Sequence, residues 1–178
     1  MADGSDIEVL FSAECIARRV DALAQRIAAH YEREFLVVVV LKGSFVFAAD
    51  LIRALDRAGA ATRVDFITLA SYGDATQSAG TVTLTHDLTE DVAGSDVLLV
   101  DDILESGRTL AFARDLLAGR GAASVRSCLL LDKKTLRKVP VEADYVGFEI
   151  GPAFVVGYGL DLAHRFRGLP YIGVPKVR

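Results

Sequence analysis

The run Phe35–Leu41, FLVVVVL, constrains the fold more than any other stretch of the chain. A continuous apolar run rich in β-branched valines is typical of a strand buried on both faces of a parallel sheet. Further strands are predicted at residues 63–69, 96–100 and 125–131, and helices at residues 12–33, 44–57 and 109–118. This alternation predicts an α/β fold, in which a mostly parallel twisted sheet is flanked by helices. Short strand-like runs after residue 139 predict a small C-terminal subdomain, or hood.

Length and composition favour one domain over residues 1–178, since 52% of the residues are hydrophobic and 25% are charged. No uncharged apolar run reaches the roughly 18 residues of a transmembrane helix, and the acidic start MADGSDIEVL is unlike a signal peptide. Cys15 and Cys128 lie far apart without metal-ligand spacing, so we expect two reduced core thiols in a cytoplasmic protein. The net charge of −4 argues against non-specific nucleic-acid binding.

Candidate site residues cluster where the third predicted strand ends, in LLVDDILESGRTL at residues 98–110. Asp101 and Asp102 follow the apolar strand at once, which places them at the carboxyl edge of the sheet, where ligands bind in open α/β folds. Because neighbouring strand residues point to opposite faces, the two carboxylates can have different roles. The turn at residues 105–109 leads into a helix. Free N–H groups at a helix N-terminus suit a phosphate, and Gly107 permits close backbone approach.

Three other interpretations of this stretch fit less well. An ordinary strand–turn–helix junction with solvated acids is common. A P-loop requires G-x-x-x-x-G-K-[ST], which the chain lacks. A response-regulator receiver places its paired aspartates near the N-terminus, whereas 100 residues precede Asp101. A sugar phosphate fits better, because carboxylates accept hydrogen bonds from ribose hydroxyls while the turn holds the phosphate.

The stretch VLLVDDILESGRTL closely resembles the phosphoribosyl pyrophosphate motif of type I phosphoribosyltransferases. The resemblance implies their fold. It also implies that Asp101 and Asp102 bind the ribose hydroxyls. The 5′-phosphate would be held by the residues of the following turn, Ser106, Gly107, Arg108 and Thr109.

Further segments resemble the hypoxanthine-guanine branch of that family. LKGSFVFAADLIRAL resembles its first active-site loop, which implies that Lys42 and Gly43 contact the pyrophosphate and that the Leu41–Lys42 peptide bond can be cis. SYGDATQSAGTV resembles its mobile second loop, entered by Ser71 and Tyr72, which closes over the site. Taken alone, Gly43 would simply end a buried strand and Lys42 would mark the solvent boundary.

The C-terminal segments LLLDKKT and VGFEIGPAFVVGYGLDLAHRFRGLPYIGV resemble the base-binding part of the same branch. By position, Lys133 would donate to the exocyclic oxygen of a 6-oxopurine, Phe154 would stack on the ring, and the Val155 backbone would read the base edge. Asp161 would ligate Mg²⁺ carried by the pyrophosphate, which Arg167 would also meet. Without the resemblance, these would be a solvated lysine, a core phenylalanine, a turn aspartate and a surface arginine.

The implied activity transfers 5-phosphoribosyl from phosphoribosyl pyrophosphate to N9 of hypoxanthine or guanine in purine salvage. Glu105 stands where the family's proton-accepting aspartate stands, one methylene longer, and is the candidate general base. A non-catalytic RNA-binding regulator of pyrimidine genes and a xanthine-preferring enzyme are the alternatives on the same fold. A homodimer or homotetramer is typical of the family.

Overall fold

The computed structural model describes residues 7–71 and 82–176. The helices are α1 (Ala13–Ala28), α2 (Phe45–Arg57) and α3 (Arg108–Gly119). The strands are β1 (Ile7–Phe11), β2 (Phe35–Leu41), β3 (Thr62–Ser71), β4 (Val82–His86), β5 (Asp96–Leu104), β6 (Ser124–Asp132), β7 (Tyr145–Glu149) and β8 (Ile172–Pro175). The central sheet has the order β4-β3-β2-β5-β6-β7, while β1 and β8 form a separate two-stranded sheet.

Strand β2 lies inside the sheet, as its uninterrupted apolar sequence predicts. It pairs in parallel with β3 on one side and β5 on the other, and β6 and β7 continue the parallel set. Within the described residues, β3–β4 is the antiparallel pair of this sheet. The predicted α/β class, a mostly parallel sheet flanked by helices, is therefore confirmed.

The two faces of β2 are covered by different helices. Val37 and Val39 belong to one apolar cluster with residues of α1 and α2 such as Leu23 and Leu51. Residues of opposite parity, such as Val38, belong to a second cluster with residues of α3. Because strand side chains alternate between faces, helices on both sides are needed to bury such a run.

Helix α1 begins as predicted but ends earlier. The Ser12 side chain caps it by accepting a hydrogen bond from the Cys15 backbone N–H at 3.3 Å. The helix stops at Ala28, so the predicted end near residue 33 is wrong. Its apolar face is complete at Ile27, and the chain must then turn into β2.

Strand β5 is longer than predicted, since it runs to Leu104 rather than ending at Val100. Pairing with β6 continues through Asp101↔Leu129 and Leu104↔Asp132, whereas the described pairing with β2 stops at Val100. Asp101 and Asp102 thus lie within the strand, past the end of its pairing with β2. Both residues lie at the carboxyl edge of the sheet, as the sequence predicts.

The small sheet forms part of the hood. Strand β1, which was not predicted, pairs antiparallel with β8, and a bridge between Val156 and Gly173 ties the C-terminal loop to it. That the chain is one domain stays a prediction. None of the helices in residues 7–71 and 82–176 has the length and apolar character needed to cross a membrane.

Candidate active site

Two cavities of about 360 and 660 Å³ adjoin at the carboxyl edge of the sheet. Residues from the ends of β2 and β5 line both of them, including Lys42, Gly43, Asp102 and Glu105. The smaller cavity adds the candidate ribose and phosphate residues Asp101, Ser106, Gly107 and Thr109. The larger cavity adds the candidate base and pyrophosphate residues Lys133, Phe154, Val155, Asp161 and Arg167.

One predicted residue of the phosphate turn lies outside these cavity walls. Arg108, in the first turn of α3, lines neither cavity, and its backbone N–H donates to Ser106 Oγ at 3.3 Å. Ser71 ends β3, but its side chain and the whole of Tyr72 lie outside the described part of the chain. The predicted roles of Arg108, Ser71 and Tyr72 stay predictions.

The turn before α3 packs closely against the segment that follows β6. Gly107 has φ +85° and precedes the helix as its N-cap. A Cβ there would lie 2.7 Å from Val141 Cγ1 and 3.0 Å from the Val139 carbonyl oxygen, so a side chain has no room. The first N–H groups of α3 lack helical acceptors, so the turn can hold an anion.

The two aspartates of β5 occupy different environments. Asp101 is 8% exposed and accepts a hydrogen bond from the Asp102 backbone N–H at 2.8 Å. Burial, with the neighbouring Asp102 charge, raises the pKa of Asp101 well above its usual range. Burial also raises the pKa of Asp102. The Asp102 carboxylate lies against Gly43, where a Cβ would be 1.6 Å from its Oδ2 atom.

Glu105 and Lys133 form an ion pair inside the larger cavity, with 3.2 Å between Oε2 and Nζ. The Lys133 side chain is 5% exposed and that of Glu105 is 51% exposed. The interpretation of Lys133 as a solvated surface lysine is therefore wrong. That description fits Lys134, which is 62% exposed and pairs with Glu149.

The C-terminal loop supplies the opposite wall. Phe154 is 53% exposed and lines the larger cavity, so it is not a core residue, whereas Val155 is buried. Asp161 pairs with Arg167 at 2.6 Å, and Arg167 also donates to the Gly159 carbonyl at 2.6 Å. Neither is a lone surface charge.

The first loop packs tightly against this wall. The Leu41–Lys42 peptide bond is cis, as the resemblance allows. A Cβ on Gly159 would lie 2.2 Å from the Gly43 carbonyl oxygen, so the two backbones touch directly.

The structure adds two residues to this region. His164 lines the larger cavity, and its backbone N–H donates to the Asp161 carboxylate at 2.7 Å. Arg137 donates to the Glu105 carbonyl oxygen at 3.0 Å and pairs with Asp132. No motif or periodicity in the sequence points to either residue.

Comparisons with known proteins agree with this geometry. Residues 7–162 match the phosphoribosyl transferase domain family. The chain is 46% identical over 173 residues to a hypoxanthine-guanine phosphoribosyltransferase of Bacillus subtilis, covering 96% of this chain and 94% of that protein. It is 46% identical over 174 residues to the bifunctional protein TilS/HprT of Listeria innocua, which is 97% of this chain but 26% of that protein. A solved structure of a Trypanosoma cruzi hypoxanthine phosphoribosyl transferase matches with a TM-score of 0.92 at 38% identity, covering 98% of this chain and 94% of that one.

Proposed function

The chain belongs to the hypoxanthine-guanine phosphoribosyltransferase family, and we propose that it transfers 5-phosphoribosyl from phosphoribosyl pyrophosphate to N9 of a 6-oxopurine in purine salvage. The products are IMP or GMP and pyrophosphate. The observation that carries the proposal is the Glu105–Lys133 pair, 3.2 Å apart in the larger cavity and next to the candidate phosphate turn.

The pair suits one edge of an oxopurine. Hypoxanthine and guanine present the O6 acceptor beside N7, which carries a proton when N9 is free to attack. Lys133 offers a donor and Glu105 an acceptor at matching positions. Adenine would place an amino group against the buried ammonium, leaving donors unpaired, and such a mismatch lowers transition-state binding strongly.

The reaction forms the N9–C1′ bond and breaks the C1′–oxygen bond to pyrophosphate. In the proposal Glu105 accepts the N7 proton as N9 attacks. Asp101 and Asp102 orient the ribose, and the turn of Ser106, Gly107, Arg108 and Thr109 holds the 5′-phosphate. Lys42, Gly43 and Arg167 meet the pyrophosphate, where the guanidinium fork suits two phosphate oxygens. Phe154 stacks on the purine while the Val155 backbone reads its edge, and the loop entered by Ser71 and Tyr72 excludes water.

Mg²⁺ carried by the pyrophosphate is part of the proposal, with Asp161 as its protein ligand. The Asp161 carboxylate lines the larger cavity. Among residues 7–71 and 82–176, no group of three or more His, Cys, Asp or Glu side chains is arranged to hold a metal ion. A single carboxylate fits Mg²⁺, which keeps several waters and binds largely through substrate phosphates. When bound, the ion would neutralise charge on the departing pyrophosphate.

A homodimer or homotetramer in the cytoplasm completes the proposal. Phe45, at the start of α2, and Phe66, on β3, are 45% and 42% exposed and offer apolar surface for self-association. Cys128 is buried, as predicted for a core thiol, whereas Cys15 is only half-buried, so its predicted place in the core is wrong. Light scattering on the purified protein measures the subunit number.

A panel assay tests the activity. Purified protein is given Mg²⁺ and phosphoribosyl pyrophosphate with hypoxanthine, guanine, xanthine, adenine or uracil, and nucleotide formation is measured. We expect products from hypoxanthine or guanine and none from adenine or uracil. Product from xanthine alone would reassign the substrate, and no product from any oxopurine would defeat the proposal.

A further inference from the structure

We propose that Arg137 is a positioning residue that aims the backbone N–H groups of the phosphate turn into the site. The inference rests on the proposed function, because it assigns the turn at residues 105–109 to the 5′-phosphate. Arg137 does not line the smaller cavity, which the phosphate turn faces. It acts through the backbone of Glu105.

The Arg137 guanidinium joins two elements. Its Nη2 pairs with the Asp132 carboxylate at the end of β6, and its Nη1 donates to the Glu105 carbonyl oxygen at 3.0 Å. The side chains of Asp132 and Arg137 are 5% and 16% exposed, so water competes weakly for these bonds. A rigid fork held at one end by a carboxylate fixes where its other end lies.

The residues after Arg137 hold the next peptide of the turn. The backbone N–H groups of Lys138 and Val139 donate to the Ser106 carbonyl oxygen at 2.9 and 3.0 Å. Arg137 and Val141 line a separate cavity behind the turn, and both contact the space that a Gly107 side chain would need. Residues 137–141, the backing segment, therefore engage consecutive carbonyl groups from the side away from the candidate site.

The direction of the carbonyl groups sets the direction of the N–H groups. In a planar trans peptide, C=O and N–H point in opposite directions. With the carbonyl groups of Glu105 and Ser106 tied to the backing segment, the N–H groups of Ser106 and Gly107 point away from it. They have no hydrogen-bond acceptor within residues 7–71 and 82–176, and both residues line the smaller cavity. Donors aimed in advance suit a phosphate better than donors that must reorient.

Binding of partial ligands tests this role. Ribose 5-phosphate probes the phosphate turn, and pyrophosphate with Mg²⁺ probes the other end of the site; both are titrated by calorimetry into wild type, Arg137→Ala and Arg137→Lys. Lys134→Ala is the matched control, because Lys134 lies in the same stretch but forms an exposed pair with Glu149.

We expect both Arg137 variants to bind ribose 5-phosphate about tenfold or more weakly, while pyrophosphate affinity changes less than about twofold. Arg137→Lys keeps a cation for Asp132 but lacks the planar guanidinium. It should therefore be more thermally stable than Arg137→Ala while binding ribose 5-phosphate no more tightly. A purely structural role would lower stability and leave the ratio of the two affinities unchanged. An unchanged ratio of the two affinities overturns the inference, and so does wild type failing to bind ribose 5-phosphate. Ribose 5-phosphate binding by a wild type that forms no nucleotide defeats only the proposed function.

Discussion

A Cβ atom on Gly43 would lie 1.6 Å from Oδ2 of Asp102, so the absence of a side chain at Gly43 gives that carboxylate its place. On its other side, the Gly43 carbonyl oxygen lies 2.2 Å from where a Cβ of Gly159 would be. The ends of β2 and β5 and the C-terminal loop therefore meet through two glycines. This contact brings the candidate ribose, pyrophosphate and base residues into one site.

Replacing Gly43 by alanine should displace Asp102 and reduce activity. We expect kcat/KM for phosphoribosyl pyrophosphate to fall by about 100-fold, the cost of misplacing a site group by roughly 1 Å. Steady-state kinetics measure it. Gly119→Ala is the control, since a Cβ there has nothing within 4 Å and its kinetics should match wild type. Equal kinetics for the Gly43 and Gly119 variants would contradict the prediction.

Glu105→Gln should slow turnover while sparing substrate binding. Glutamine keeps the length of the side chain and an oxygen that can face Lys133 at the observed 3.2 Å, but it cannot take the purine proton. A general base contributes about 10²–10⁴-fold, so we expect kcat to fall at least about 100-fold. Calorimetry should find phosphoribosyl pyrophosphate affinity within a few fold of wild type. A kcat close to wild type would assign the base elsewhere.

Lys133→Met should weaken recognition of the oxopurine. Methionine is apolar and of similar length, so it fills the buried site without offering a donor to O6. Loss of a charge-assisted hydrogen bond predicts a KM for hypoxanthine about 10–100-fold higher. Lys134→Met, at the neighbouring 62% exposed position, should leave that KM unchanged. If both variants raise KM alike, Lys133 does not read the base.

The buried carboxyl of Asp101 should make the folded protein less stable as pH rises. Burial and the Asp102 charge raise its pKa in the folded protein above the unfolded value. Between those two pKa values the folded state binds more protons than the unfolded state, so the free energy of unfolding falls as pH rises. Asp101→Asn removes this titration and should raise Tm at pH 8, where roughly 1 kcal/mol corresponds to about 2–4 °C.

The Tm difference between Asp101→Asn and wild type should narrow toward about pH 4, near the unfolded pKa of aspartate. Thermal unfolding of wild type and Asp101→Asn without Mg²⁺ or substrate, at pH 8 and near pH 4, measures both Tm differences. A variant less stable than wild type at pH 8 would show that the ionised carboxylate is well accommodated in the fold.

The strands and helices of the central sheet were largely predictable, because their signals are local. The apolar run of β2 and the capping of α1 by Ser12 are examples. The length of β5 was not predictable, because Asp101 and Asp102 interrupt its apolar pattern while pairing with β6 carries the strand onward. Strand β1 was missed because its partner, β8, lies at the other end of the chain.

By itself, the sequence determined the succession of the central strands and helices along the chain. It also determined that two carboxylates lie beside a glycine turn at the sheet edge. Those features depend on residues close together in the chain. Only the tertiary structure decided that Lys133 is buried against Glu105, 28 positions away, and that Arg137 holds the Glu105 carbonyl. The reason is physical: burial and side-chain distances depend on which strand ends meet, and sheet packing sets that, not local sequence.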